Sequence, residues 1–170
     1  MCDRPREHGG GVAQHLGFLH PDARRARTRD LYPGADALAP KHGLEVQFQH
    51  HAYDWNDTAP LAHLLAGIAA GGAIIAASSE GGLFEYGTDD AIVANLTALA
   101  RAGVPIVTGS VTSSSEERKQ MIAQTRLRLF ARGLEGFAPL AERGGYAIAE
   151  SRTAVVSEQV LLRPRATPPP

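Results

Sequence analysis

From residue 44 onward the chain switches between two hydrophobic rhythms. Leu44-Glu-Val-Gln-Phe alternates apolar and polar positions, the pattern of a half-buried strand near a sheet edge. Leu61, Leu64, Leu65 and Ile68 then recur at helical spacing, with Pro60 in the first turn, Asn56 or Asp57 as a cap, and Gly71 as the stop. The next stretch, Gly72 to Gly87, organises the rest. Ala73 to Ala77 is an unbroken apolar run, which predicts a strand covered on both faces. It turns polar at Ser78, Ser79 and Glu80 and bends at Gly81-Gly82. Polar residues and glycines just past the carboxyl end of such a strand are where open α/β sheets hold ligands.

The two rhythms continue to the end. Thr88 caps a helix whose first turn carries Asp89 and Asp90 over the positive end of the dipole. Ile92, Val93, Leu96 and Leu99 are its buried stripe, and Gly103 ends it. Val104 to Val111 reads as a second apolar strand. Ser113 and Glu116 have capping-box spacing for a helix to about Ala131, and a short helix follows over Glu135 to Arg143. Tyr146 to Glu150 and Ala154 to Leu162 are strand-like and too close in sequence for a parallel return, so they predict an antiparallel hairpin. The expected fold is α/β: a three-layer sandwich with a doubly wound, mostly parallel sheet and a carboxyl-terminal antiparallel hairpin.

Upstream the pattern is weaker. Residues 1–11 are charged and then glycine-rich, and predict a disordered start. Val12 to Leu19 reads as a short strand, and His20-Pro21-Asp22-Ala23 as its exit into a helix. Arg24, Arg25, Arg27 and Arg29 fit a solvated helix face; a phosphate patch is the sharper alternative. Residues 31–43 are broken by prolines and glycines, and 164–170 form a proline-rich tail. Residues 12–163 then make one α/β domain.

Composition narrows the function classes. The chain has 170 residues, 44% hydrophobic and 21% charged, enough for one domain with a core. A net charge of -1 gives no broad field for nucleic acid or anionic lipid. Cys2 is the single cysteine, so no internal disulfide forms and a reducing, cytoplasmic setting is expected. No apolar run reaches the roughly 20 residues of a membrane span.

Three segments carry a resemblance: His51-Ala-Tyr-Asp-Trp-Asn-Asp, then Ala76-Ala-Ser-Ser-Glu-Gly-Gly-Leu-Phe-Glu-Tyr-Gly, then Val107-Thr-Gly-Ser-Val. With the closing hairpin they resemble the carboxyl-terminal two thirds of a class I S-adenosylmethionine-dependent methyltransferase, over residues 44–163. The resemblance implies a Rossmann-like sheet, S-adenosylmethionine as cofactor and a small-molecule methyl acceptor. Asp54 and Trp55 match the residues that meet the adenine amine and ring. Ser78, Ser79, Glu80 and Gly81 match the strand end that faces donor and acceptor, and Phe84, Glu85 and Tyr86 are the implied acceptor-binding residues. Glu80 or Glu85 is the candidate base. The bland alternatives are a helix cap for Asp54, core for Trp55, and a structural loop for Phe84 to Tyr86.

The family's Gly-x-Gly-x-Gly loop after its first strand does not occur here. Gly9-Gly10-Gly11 is the glycine cluster upstream, and no apolar strand precedes it. If Val12 to His20 is the family's second strand, the first strand is missing; the expected explanations are a fragment lacking its amino-terminal part, a second copy or partner chain that completes the sheet, or a rearranged amino-terminal segment that fills the gap. A non-catalytic or truncated domain acting through a partner is therefore a rival to the enzyme. A serine hydrolase with Ser79 in a nucleophile elbow is a minor one. All seven histidines lie at or before His63, so none follows the serine. His50, His51, Asp54 and His63 are too scattered in direction to predict a metal site.

Overall fold

The computed structural model describes residues 12–18, 45–125 and 128–165, with side chains described from residue 51 onward. The expected disordered start, the arginine-rich segment, the broken segment 31–43 and residues 166–170 lie outside the described residues. The chain divides into two compact units, Met1–Ala52 and Tyr53–Pro170.

In the first unit β1 (Val12–Phe18) pairs in parallel with β2 (Glu45–His51), in register from Val12↔Glu45 to Phe18↔His51. The alternation of Leu44 to Phe48 thus marks a strand that continues into His50 and His51. A parallel return requires a crossover, which the intervening sequence supplies in length.

The second unit is built on a four-stranded sheet in the order β3-β4-β6-β5. Its elements are α1 (Ala59–Ala70), β3 (Ala76–Ser79), α2 (Leu83–Tyr86), α3 (Asp89–Arg101), β4 (Ile106–Thr112), α4 (Glu116–Ala123), α5 (Gly133–Arg143), β5 (Tyr146–Thr153) and β6 (Ser157–Pro164). β3 and β4 are parallel; β6 is antiparallel to both β4 and β5, so the closing hairpin forms as expected. The molecule is a mixed α/β structure with a parallel start and an antiparallel end.

The two sides of this sheet differ. Register places Val107, Gly109 and Val111 of β4 beside Leu162, Val160 and Glu158 of β6 on one face. Val107, Val111, Val160 and Leu162 are buried there. Phe84 of α2 lies over Gly109, where an added Cβ would stand 2.5 Å from the ring, so this position excludes any side chain. Phe84 meets Phe137 of α5 with centroids 4.7 Å apart, and Ile92 and Leu96 of α3 are buried. The amphipathic stripe of α3 and its Thr88 cap, which accepts from the Ala91 N–H, form as the sequence predicts. On the opposite face β4 presents Thr108, Ser110 and Thr112 beside Leu161, Gln159 and Ser157.

Three expectations require correction. The strand after α1 is Ala76–Ser79, not Ala73 to Ala77, and Ile74 is 92% exposed. β4 begins only at Ile106, after Pro105, which has no N–H to extend the ladder, and β3 is an edge strand of this sheet. An apolar run therefore did not mean burial on both faces. The helix after β4 ends at Ala123 rather than Ala131, and its cap is Ser115, which accepts from the Arg118 N–H. It buries none of its residues, so no packing extends it.

Candidate functional site

The polar turn after β3 is held by its own side chains. Gly81 adopts φ +59°, a left-handed conformation that glycine reaches without strain, and this turns the chain off the strand end. The Gly81 N–H donates to Ser110 Oγ at 3.0 Å, which fastens the turn to β4. Ser79 Oγ accepts from the Phe84 N–H at 3.3 Å and sits on the apolar side of the sheet, beside Gly109. That hydroxyl braces the turn. The helix that follows starts only at Leu83, so the immediate strand-to-helix step of a nucleophile elbow is absent.

Glu80 projects to the other face. β3 ends with Ser79 beside Gly109, so Glu80 continues in line with Ser110, then Gln159 of β6 and Arg152 of β5. Ser110 Oγ accepts from the Gly81 N–H, and Gln159 Nε2 donates to Ser157 Oγ at 3.5 Å. Burial raises the Glu80 pKa above the ordinary carboxylate value, and the neighbouring Glu85 raises it further; the nearby Ser110 and Gln159 side chains pull in the opposite direction. Ser110 is buried, and with Thr112 and Ser157 it closes the polar face at its carboxyl end. Ser78 lies on the same face and is exposed.

The residues expected to line an acceptor pocket separate. Phe84 is 1% exposed and belongs to the core, so its packing role displaces the pocket-lining one. Glu85 and Tyr86 are half-buried in the turn of α2. The stretch after α4 lies across this turn: the Phe130 N–H donates to the Glu85 carbonyl at 2.9 Å. Arg132 ties the turn down. Its guanidinium donates to the carbonyls of Phe84 and Gly87 and, through Nε and Nη2, to Asp89 Oδ1 at 2.9 and 2.7 Å. It also stacks over the Phe130 ring at 4.3 Å.

Asp54 and Trp55 open the second unit. Asp54 is exposed, and its Oδ1 accepts from the backbone and side-chain amides of Asn56. The N-cap of α1 is Thr58, which makes no side-chain cap bond, rather than Asn56 or Asp57; Asp57 Oδ1 accepts from the Ala59 N–H just before the helix. Trp55 is half-buried, and its carbonyl accepts from Asn95 Nδ2 at 2.9 Å. The same buried amide donates to the Ala91 carbonyl and accepts from Tyr53 Oη at 2.7 Å. Burial first, then Asp57 and Asp54, push the Tyr53 pKa up to about 12, so the phenol stays a donor. One side chain of α3 thus fixes the segment that presents Asp54 and Trp55.

Sequence reading did not single out Ser110, Gln159, Arg132 or Asn95. A signal existed for Ser110, since Thr108, Ser110 and Thr112 alternate with Val107, Gly109 and Val111 inside a run that looks apolar throughout. Arg132 and Asn95 carry no local signal, because their partners lie about forty residues away in sequence. Among the described residues no group of three His, Cys, Asp or Glu side chains could hold a metal ion, and no helix is long and apolar enough to cross a membrane.

No protein-family model and no curated protein sequence matches this chain. Solved structures do resemble it. N,N-8-amino-8-demethyl-D-riboflavin dimethyltransferase (RosA) from Streptomyces davawensis is similar over 92% of this chain and 42% of its own, at 14% identity and TM-score 0.53. TnmH is similar over 92% of this chain and 43% of its own, at 18% identity and TM-score 0.54. Magnesium protoporphyrin IX methyltransferase (ChlM) from Synechocystis PCC 6803, solved with bound SAH, is similar over 79% of this chain and 57% of its own, at 18% identity and TM-score 0.50. The chain therefore has a methyltransferase-like fold and spans about half the length of the structures it matches.

Proposed function

We propose that this protein binds S-adenosylmethionine and transfers its methyl group to a small-molecule acceptor. The observation that supports this reading most is the fold likeness to the two named methyltransferases, over 92% and 79% of the chain. The side chains present fit the group. Asp54 is an exposed carboxylate beside the Trp55 indole, an acceptor for an exocyclic amine next to a stacking face. Ser78, Glu80 and Gly81 stand at the carboxyl end of β3, with Glu85 close enough to act on Glu80's charge. S-adenosylmethionine would supply an electrophilic methyl group on a sulfonium. The protein's part is to hold the acceptor in line and to take up its proton, for which Glu80 and Glu85 are the candidates.

A second reading has an observation of its own. β3 is an edge of its sheet and Ile74 beside it is 92% exposed, which suits a non-catalytic domain whose sheet is completed by a partner chain or a second copy. Calorimetric titration with S-adenosylmethionine separates the two. A Kd of about 100 micromolar would stabilise the chain by about 1.4 kcal/mol at 1 mM ligand. Asp54→Ala is expected to weaken that binding more than Glu85→Ala. No heat and no thermal shift at 1 mM favours the partner-dependent domain, and the reverse ordering of the variants reassigns the roles of the two carboxylates.

A further inference from the structure

The four-stranded sheet ends in two edge strands, β3 and β5, and β5 is the longer, with eight residues against four. The start of β5 is fastened to the core: Tyr146 is buried, and its hydroxyl donates to the Val104 carbonyl at 2.9 Å. The ladder with β6 shifts register between Ile148 and Glu150. It then runs regularly through Glu150↔Leu161, Ser151↔Val160, Arg152↔Gln159 and Thr153↔Glu158. These four residues of β5 are all exposed, and no strand of the sheet pairs with their outer side. Such an edge offers a row of backbone donors and acceptors to another strand, and proteins commonly block it with proline, lysine or a bulge. The stretch from Glu150 to Thr153 has no proline and no lysine, and the bulge lies before it.

The side chains select the strand that fits. Glu150 and Arg152 stand beside Leu161 and Gln159 on one face, and Ser151 between them points to the other. Among the described residues neither Glu150 nor Arg152 has an ion-pair partner. Let a second β5 pair antiparallel about Ser151. Ser151 then faces its own copy, Glu150 faces Arg152 of the second copy, and Arg152 faces Glu150 of the second copy. A single two-fold axis so creates two attractive cross-strand pairs. Parallel pairing in register would instead set Glu150 on Glu150 and Arg152 on Arg152. The antiparallel register also carries the hairpin tip, where Val155 is 100% exposed, toward the exposed Ala147 at the start of the second strand.

We propose that β5 is a homodimer interface, in which two copies of this chain join edge to edge, antiparallel about Ser151, into one continuous sheet. The proposal does not depend on the methyl-transfer reading, and it leaves the β3 edge and the turn after it outside the contact. A ladder this short predicts a weak dimer that forms with concentration, with a Kd of about 10 to 100 micromolar.

Sedimentation equilibrium of the full chain from about 1 to 300 micromolar reads the association. Glu150→Arg places two pairs of cations across the axis, and Arg152→Glu places two pairs of carboxylates. Each should raise Kd at least about tenfold, because two attractions become two repulsions. An equimolar mixture of these two variants should associate at least as well as the wild type, since one chain then carries both cations and the other both anions. The double variant, Glu150→Arg with Arg152→Glu, should return to the wild-type Kd. Both positions are exposed, so the variants should fold, and circular dichroism with thermal unfolding checks this. A wild type that stays monomeric at about 300 micromolar overturns the interface. A dimer that neither single reversal weakens also overturns it and puts the contact on another surface, such as the β3 edge. A mixture that fails to recover association overturns the antiparallel register.

Discussion

One face of the four-stranded sheet carries Val107, Val111, Val160 and Leu162, each at most 3% exposed, with α2 and α5 packed against these strands. The other, from the alternate positions of the same strands, carries Thr108, Ser110, Thr112, Ser157 and Gln159. The strands are shared, so backbone pairing cannot account for the difference. On the apolar side, stability comes from area removed from water and from close contact, as between Phe84, Gly109 and Phe137. On the polar side, each buried oxygen must find a donor or cost stability. The two faces thus differ in the chemistry of their side chains and not simply in burial, since Ser110, Thr112 and Ser157 are buried as well.

Substitutions test this division. Phe84→Ala should have the largest effect, a loss of about 3 to 5 kcal/mol in denaturant unfolding, because it empties the contact over Gly109. A loss under about 1 kcal/mol would mean that the turn carrying Glu85 is not fastened through the core. Thr112→Val on the polar face should move stability the other way. Thr112 Oγ1 is fully buried with no hydrogen-bond partner among the described residues, so removing it should gain about 1 kcal/mol by the same measurement. A loss instead would reveal that the hydroxyl is satisfied in solution.

The smallest effect is pH-dependent. Glu80 has a raised pKa, so the folded chain holds this proton more tightly than the unfolded chain does, and ionisation favours unfolding. The penalty is absent below about pH 4, where both forms are protonated, and complete above the raised value. Glu80→Gln should therefore gain stability at neutral pH and lose that advantage in acid. The gain should stay under about 1 kcal/mol, since the group is partly exposed and screened. Thermal unfolding scanned from pH 3 to pH 8 reads it, and a variant less stable than the wild type at pH 7 contradicts the sign.

Much of this architecture was legible. The stripe Ile92, Leu96, Leu99 with the Thr88 cap is a local pattern, and local physics forms it in place. The hairpin of β5 and β6 followed from two strand-like runs too near for a crossover. The apolar run around Ile74 misled, because hydrophobicity states what a side chain prefers and not what stands beside it. Glu80 was singled out by its place after an apolar run, and the structure gives the Gly81 N–H beside it a partner, Ser110, that no spacing announces. Phe84 was assigned to a pocket and is core, since a buried ring and a pocket wall look alike in sequence.

The sequence by itself determined the order of most helices and strands and that a polar turn follows β3, because caps, glycines and periodicity act within a few residues. Only the tertiary structure decided that Ser110 meets the Gly81 N–H, that Asn95 fixes the Asp54 segment, and that Arg132 binds the turn. Those contacts join residues 29 to 45 positions apart, and strand register and helix packing, which set them, arise only when distant segments exclude water from one another together.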